Sequence, residues 1–281
     1  MSERDFYSRN FPYVPKELQD RLSSPVVGIF GAGMGSKIAE TLLRTGFDNL
    51  LIVDGDTVAL SNLNRQNYTA GDVGKNKSRV ICDYLKLIKP DARIRFAEEF
   101  INESNIESYI DQVDFVINTI DFEAGEVHLM CNRISKQKRK PVVYPVNLGW
   151  GAVTFVFTTE SPTMDDLLQR HPGEEPITAT ALHLLEFLIE RDRMPTWLPD
   201  VWEKFYNKEL DYEPQMCPGC DSASATVAAL LYNMVAGLPF PVFPQPVYHD
   251  HRDFKPPARS LFGWFKKHAM RRLLRRRKVY S

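Results

Sequence analysis

Residues 26–77 decide the fold, and they read VVGIFGAGMGSKIAETLLRTGFDNLLIVDGDTVALSNLNRQNYTAGDVGKNK. The apolar, β-branched run at 26–30 predicts a strand, and residues 37–45 predict a helix. A second strand is predicted at 49–53, and it ends in Asp54. A strand, a glycine-rich turn, a helix, a strand and an acid in this order are typical of a nucleotide-binding βαβ unit.

Three glycines, Gly31, Gly33 and Gly35, lie in the turn between the first strand and the helix. Glycines let the backbone approach a phosphate closely, and the N-terminus of the following helix offers free N–H groups and the positive end of its dipole. A glycine pattern alone is weak evidence for a nucleotide site. The polar segments that follow it make the prediction specific.

A simple dinucleotide-binding domain does not need the two polar segments that follow the second strand, SNLNRQ at 61–66 and DVGKNK at 72–77. The acid that ends the second strand suits ribose hydroxyls, whereas Arg65 and Lys77 are placed to reach phosphates rather than a nicotinamide. Cations at that position would neutralise the charge that builds on a reacting phosphorus and on departing pyrophosphate. The alternative is a solvated loop followed by a helix start.

At these residues the sequence resembles the ThiF/MoeB/HesA family, relatives of the ubiquitin-activating enzymes. The family motifs D-x-D, S-N-L-x-R-Q and D-x-G-x-x-K match residues 54–56, 61–66 and 72–77, and the resemblance spans about residues 9 to 160 with a weaker match near 215–240. It implies an adenylating enzyme, in which a carboxylate attacks the α-phosphate of ATP. The glycine turn is one residue shorter than the family's usual G-x-G-G-x-G.

The resemblance also implies roles for individual residues. Asp54 would bind the ribose, and Asn62, Arg65 and Lys77 would contact the phosphates. The implied nucleotide-binding set is Gly31, Gly33, Gly35, Asp54, Asp56, Asn62, Arg65, Gln66 and Lys77, and the implied catalytic set is Arg9, Arg65, Lys77 and Asp121.

Two of these residues lie outside the main motifs. Asp121 follows an apolar strand predicted at 113–119, at the strand end where parallel sheets bind ligands. The resemblance implies that Asp121 is the Mg²⁺ ligand, and the alternative is that it caps the N-terminus of the next helix. Arg9 lies in YSRN at 7–10, a partial match to the family's N-terminal segment, whose arginine reaches the ATP phosphates of the partner subunit. The alternative for Arg9 is an ordinary surface arginine. Its trans-acting role requires a homodimer.

The predicted fold class is α/β, a Rossmann-like, mostly parallel sheet with helices on both faces and an additional C-terminal part. The predicted parts are an N-terminal arm at 1–25, the ATP-binding domain at 26–160, a crossover region at 161–216, a crossing helix with a closing segment at 217–254, and a basic tail at 255–281. Further helices are predicted at 75–88, 106–110, 123–138, 179–191 and 223–238, and further strands at 92–100, 141–148 and 151–159.

The chain has 281 residues, of which 43% are hydrophobic and 25% charged, as in ordinary globular proteins. Its net charge of −1 conceals an asymmetry: residues 255–281 hold ten of the 35 Lys/Arg and none of the 36 Asp/Glu, which leaves −11 on the rest. The tail pattern resembles a basic amphipathic helix suited to tRNA, an anionic surface or an acidic partner, or to docking on the acidic body. Residues 225–243 carry no charge but include two prolines, so we expect a buried helix rather than a membrane span. The first residues, MSERD, lack the apolar core of a signal peptide, so we expect a cytoplasmic, soluble protein.

Four cysteines do not suggest a disulfide scaffold in a chain of this length. Cys217 and Cys220 form a CxxC knuckle with the spacing of zinc ligands, and His249 and His251 could complete a four-ligand zinc site. A redox pair or a remnant turn are the alternatives. The crossover region, where some family members carry a thioester cysteine, has no cysteine between residues 164 and 216, so the resemblance implies chemistry that stops at adenylation.

The sequence therefore favours an ATP-dependent adenylyltransferase that acts on the C-terminus of a small ubiquitin-like sulfur carrier ending in Gly-Gly. A second hypothesis within the family is a tRNA threonylcarbamoyladenosine dehydratase, which also needs no catalytic cysteine. A third is a binding module whose ATP site has lost activity. A dehydrogenase is disfavoured because Arg65, Lys77 and Asp121 would then have no task. The resemblance also implies that the turn at 147–151 lies beside the path of the substrate carboxylate.

Overall fold

The structure is a computed structural model that describes residues 6–121, 125–163, 195–207, 209–210 and 212–253. The helix predicted at 179–191 and the basic tail at 255–281 lie outside the described residues. The boundaries predicted for the five parts of the chain remain predictions.

Within the described part of the chain, seven strands form one sheet. Their spatial order is β3 (Arg93–Ala97), β2 (Asn49–Val53), β1 (Val27–Phe30), β4 (Phe115–Asn118), β5 (Val142–Asn147), β6 (Gly151–Phe157) and β7 (Val247–Asp250). The order reverses at β1, because β2 and β3 lie on one side of this strand and β4 to β7 lie on the other. The first five strands pair in parallel, and the last two pair antiparallel to their neighbours.

Helices cover both faces of the sheet. The helices are α1 (Lys16–Leu22), α2 (Gly35–Thr45), α3 (Lys77–Ile88), α4 (Ile106–Ile110), α5 (Glu126–Gln137), α6 (Leu198–Tyr206) and α7 (Cys217–Ala236), with short 3₁₀ helices at Leu60–Asn62 and Ala70–Asp72. Buried side chains of α2, α3 and α7 pack with strand residues on one face of the sheet, and those of α4 and α5 pack with strand residues on the other face.

The alternation of side chains along each central strand explains this layering. In β2, Leu50 and Ile52 join the cluster on one face while Leu51 and Val53 join the cluster on the other. All four side chains are at most 4% exposed. Strands buried on both faces are expected to read as continuous apolar runs, as β1 and β2 do.

The structure confirms the predicted Rossmann-like α/β fold. The strand at 49–53 and the helix at 106–110 have the predicted bounds, and most other elements begin or end within two residues of the prediction. The helix α7 begins at Cys217 rather than at residue 223, and the sequence did not predict α6 or β7. None of the helices in the described ranges combines the length and the apolar character needed to cross a bilayer.

Candidate nucleotide-binding site

Apart from Arg9, Cys217 and Cys220, the predicted site residues follow the carboxyl ends of β1, β2 and β4 in the chain. These three strands are neighbours, and β1 lies between the other two at the position where the strand order reverses. Open parallel sheets bind ligands in the crevice at such a switch point. The chain therefore brings the glycine turn, the acids after β2 and Asp121 to the same edge of the sheet.

The glycine turn is fixed against the end of β4. Gly31 has a φ of +100°, and an ideal Cβ there would lie 2.2 Å from the carbonyl oxygen of Thr119. The Thr119 hydroxyl donates a hydrogen bond to the Gly31 carbonyl oxygen at 2.7 Å. Only glycine fits this position without strain, because a side chain would meet the neighbouring backbone in an unfavourable conformation.

The other two turn glycines lie beside buried side chains. An ideal Cβ at Gly33 would lie 3.2 Å from Gln66 Nε2, and one at Gly35 would lie 2.7 Å from Ile29 Cγ2. Gln66, a predicted nucleotide-binding residue, is 8% exposed, and its side-chain amide lies beside Gly33 of the turn.

Asp54 connects the end of β2 to the glycine turn. Its Oδ2 accepts a hydrogen bond from the Ala32 backbone N–H at 2.5 Å, and its Oδ1 accepts one from the Asp56 N–H at 2.8 Å. The carboxylate is half-buried, and each oxygen keeps further acceptor capacity. This geometry suits a carboxylate that receives hydroxyl hydrogen bonds from a ribose beside the turn.

Lys77 begins α3 and forms an ion pair with Asp56. The lysine is 5% exposed, while the Asp56 side chain is half exposed. Asn76 holds the same segment, since its Nδ2 donates to the carbonyl oxygens of Asp54 at 3.0 Å and Asp56 at 3.2 Å, and its Oδ1 caps α3. A phosphate that binds the Lys77 ammonium must therefore share it with Asp56.

Arg65 is held by three hydrogen bonds. Its Nη1 donates to the Ser61 carbonyl oxygen at 3.0 Å and to Asn64 Oδ1 at 2.8 Å, and its Nε donates to Gln215 Oε1 at 2.9 Å. Asn62 caps its own 3₁₀ turn, because its Oδ1 accepts from the Ala59 N–H at 2.9 Å.

Asp121 lies three residues after β4 and is exposed. A carboxylate is the ligand type that a hard cation prefers, so Asp121 suits Mg²⁺ shared with phosphate oxygens. The described ranges contain no group of three or more His, Cys, Asp or Glu side chains that could hold a metal ion by themselves.

The segment that carries Arg9 is fixed at the far end of α2. The Tyr7 hydroxyl donates to the Leu43 carbonyl oxygen at 2.9 Å, and Asn10 Nδ2 donates to the Thr45 carbonyl oxygen at 3.1 Å. The glycine turn precedes the other end of this helix, about 16 Å away at 1.5 Å per residue. Arg9 is exposed and does not join the site residues of its own chain.

The knuckle predicted at Cys217 and Cys220 is instead the first turn of α7. An ideal Cβ at Gly219 would lie 2.1 Å from Asn147 Oδ1, so the glycine allows the turn after β5 to approach the helix. Asn147 Nδ2 donates to the Met216 carbonyl oxygen at 2.9 Å and to Cys220 Sγ at 3.1 Å. Among the described residues, Cys217, Cys220, His249 and His251 do not form a group of three or more side chains that could hold a metal ion, so the structure favours the remnant turn over the zinc site. The close approach to Asn147 explains Gly219 without a metal, and Pro218 lies in the first turn of the helix, where its missing N–H leaves no hydrogen bond unmade.

Two contacts of the site were missed from the sequence. The buried Tyr68 hydroxyl donates to the Ala32 carbonyl oxygen at 2.7 Å, which ties the polar segments to the glycine turn, and burial followed by the Asp54 charge raises the pKa of this phenol far above its usual range. Lys37, in the first turn of α2, pairs with Asp221 of α7 at 2.7 Å. Neither contact had a sequence signal, because each joins segments that only the fold brings together.

A sequence profile of the ThiF family matches residues 7–246 of the chain. The tRNA threonylcarbamoyladenosine dehydratase of Haemophilus influenzae is 28% identical over 235 residues, 81% of this chain and 85% of that protein. A probable molybdopterin-synthase adenylyltransferase of Gracilaria tenuistipitata var. liui is 34% identical over 105 residues, 37% of this chain and 30% of that protein. The crystal structure of E. coli MccB with ATP is similar in fold, with a TM-score of 0.61, 18% identity, and coverage of 92% of this chain and 74% of that chain.

Proposed function

Because the chain belongs to the ThiF family, we propose that it is an adenylyltransferase that uses ATP to activate a carboxylate. One observation carries the proposal: the Asp54 carboxylate is hydrogen-bonded to the Ala32 N–H of the glycine turn, and Arg65 and Lys77 extend from the segments that follow it. This arrangement supports a site in which Asp54 would accept hydrogen bonds from the ribose and the two cations would bind phosphates. A dehydrogenase has no use for these cations.

In the proposed reaction, an oxygen of the substrate carboxylate attacks the α-phosphorus of ATP. The bond from that phosphorus to the bridging oxygen of the β-phosphate breaks, and pyrophosphate leaves with its electron pair. Asp54 would hold the ribose hydroxyls, and the backbone N–H groups of the glycine turn would hold phosphate oxygens. Arg65 and Lys77 would stabilise the negative charge that develops on the departing pyrophosphate.

The residues present fit a magnesium ion bound together with ATP. Asp121 would contribute a carboxylate oxygen, and phosphate oxygens and water would complete the coordination. The ion would supply further charge neutralisation at the phosphates. We place the reaction in the cytoplasm.

Two acceptor classes are proposed, and different observations favour them. The Haemophilus dehydratase matches most of both chains, which favours a carboxylate carried on tRNA, and the ten cations of the tail suit an RNA partner. The similarity to an adenylyltransferase for molybdopterin synthase favours the C-terminal Gly-Gly of a small ubiquitin-like carrier. In both cases the activated product is an acyl adenylate.

Arg9 is proposed to act in a homodimer. Its segment is held at the end of α2 remote from the glycine turn of its own chain. A second copy of the chain could bring this arginine to the phosphates of the first. Mixed dimers of an Arg9→Ala chain with a Lys77→Met chain would then recover part of the activity that each homodimer lacks, and no recovery would contradict the trans-acting role.

Exchange of labelled pyrophosphate into ATP tests the proposed reaction. The full chain, Mg²⁺ and ATP are incubated with bulk tRNA bearing threonylcarbamoyladenosine, or with a ubiquitin-fold carrier ending in Gly-Gly. Exchange that needs one of the two acceptors identifies its class. ATP binding without exchange for either acceptor would favour the third possibility, a binding module of the same fold.

A further inference from the structure

Arg65 is tied to a part of the chain 150 residues away. Besides the contact between Arg65 Nε and Gln215 Oε1, Asn64 Nδ2 donates to the Gln215 carbonyl oxygen at 3.2 Å. Gln215 therefore accepts hydrogen bonds from two consecutive residues of the S-N-L-x-R-Q segment, through its side chain and its backbone.

Gln215 is itself held in place by the start of α7. The next residue, Met216, is the N-cap of this 20-residue helix, and its carbonyl oxygen accepts the hydrogen bond from Asn147 at the end of β5. The helix is buried against the sheet and α2 through side chains such as Val227 and Leu231. The carboxamide that meets Arg65 thus belongs to the residue that precedes the N-cap of a buried helix.

The hydrogen bonds leave one edge of the guanidinium available. A guanidinium has five N–H donors, one on Nε and two on each terminal nitrogen. Nε and Nη1 are occupied by Gln215, Ser61 and Asn64, and in the described part of the chain Nη2 makes no hydrogen bond. An arginine fixed at Nε and Nη1 keeps its orientation and loses little further freedom when a phosphate binds Nη2.

We infer that Gln215 is a positioning residue for phosphate recognition by Arg65. It contacts the guanidinium rather than the nucleotide, and it orients Nη2 toward the phosphates of ATP. This inference rests on the proposed function, because it assigns Gln215 to the same ATP site. It also makes the start of α7, which no nucleotide-binding motif covers, a part of that site.

A comparison of Mg·ATP with adenosine shows whether Gln215 positions Arg65 for the phosphates or only supports the fold. Gln215→Met keeps the length of the side chain and removes the acceptor. Binding of Mg·ATP and of adenosine is measured by calorimetry on the full chain. We expect Mg·ATP affinity to fall about 10-fold, the loss typical of one misplaced charge-assisted hydrogen bond, while adenosine affinity stays unchanged because adenosine has no phosphate.

The matched control is Gln112→Met. Gln112 accepts a similar hydrogen bond from Arg95 Nη1, at 3.1 Å, on the edge strand β3. This variant should bind Mg·ATP and adenosine like the wild type, and the thermal unfolding of both variants shows whether they are equally folded.

A double-mutant cycle completes the test. If Gln215 acts through Arg65, the double variant Arg65→Ala/Gln215→Met binds Mg·ATP no more weakly than Arg65→Ala alone. Additive losses, equal losses for ATP and adenosine, or an unchanged Gln215→Met protein would each overturn the inference while leaving ATP binding by the wild type intact. A wild type that does not bind Mg·ATP removes the proposed function, and this inference falls with it.

Discussion

The substitution Gly31→Ala tests how tightly the glycine turn is held against β4. An alanine there must adopt a φ near +100°, and its Cβ must move away from the Thr119 carbonyl oxygen, which an ideal Cβ would approach to 2.2 Å. The positive φ costs about 1–2 kcal/mol, and the displacement of packed backbone costs about 1–3 kcal/mol. The free energy of unfolding should therefore fall by about 2–5 kcal/mol.

Gly237→Ala is the matched control. Gly237 has a φ of +71° at the end of α7, and an ideal Cβ there meets no atom within 4 Å. Only the conformational cost of about 1–2 kcal/mol applies at this position.

Thermal unfolding of the two variants measures the difference. At roughly 2–4 °C per kcal/mol, the midpoint of Gly31→Ala should fall by roughly 4–20 °C, and that of Gly237→Ala by roughly 2–8 °C. Mg·ATP affinity should fall in Gly31→Ala only. Equal midpoints for the two variants would refute the close approach of the turn to Thr119.

Three further outcomes are expected. Burial lowers the pKa of His128 from 6.5 to about 4, so the unfolded chain takes up a proton on this side chain before the folded chain does as the pH falls. The free energy of unfolding should therefore drop between pH 6.5 and 4, by up to about 1.4 kcal/mol per pH unit. Urea unfolding of the wild type and of His128→Gln should show different pH dependences in this window, and parallel curves would contradict the assignment. Cys217→Ser should keep adenylation, because the proposed reaction uses no thioester, and a covalent adduct on Cys217 seen by mass spectrometry would contradict this. Deletion after Pro257 should keep Mg·ATP affinity and weaken binding to tRNA, to anionic vesicles or to a carrier protein, and if no affinity changes, the tail has no part in recognition.

Much of the fold was predictable because its signals are local. The β-branched run before Gly31 and the apolar strand before Asp54 have the length and the terminating residues of strands in a βαβ unit. The observed strand at Asn49–Val53 has the predicted bounds. The start of α7 was predicted six residues late. The Cys-Pro-Gly-Cys pattern also suits a metal knuckle, and only the position of Asn147 reveals why Gly219 is there.

The predicted site residues were identified by type, but their partners were not. The ion pair of Lys77 with Asp56 joins two predicted residues whose spacing gave no indication that they touch. The contact of Arg65 with Gln215 depends on how α7 crosses the sheet, which no local pattern encodes. Sequence motifs therefore indicated the chemistry of the site, whereas the orientation of its side chains required the fold.

Calorimetric titration of the purified full chain with Mg·ATP and, separately, with NAD tests the central claim most directly. We expect one Mg·ATP per chain and no binding of NAD. Lys77→Met should weaken Mg·ATP roughly 10- to 100-fold, the loss expected for one hydrogen bond between charged groups, whereas Lys75→Met, which removes an exposed lysine two residues earlier, should bind like the wild type. Binding of NAD in place of ATP, or equal ATP affinity in the wild type and Lys77→Met, would contradict a site built for a triphosphate.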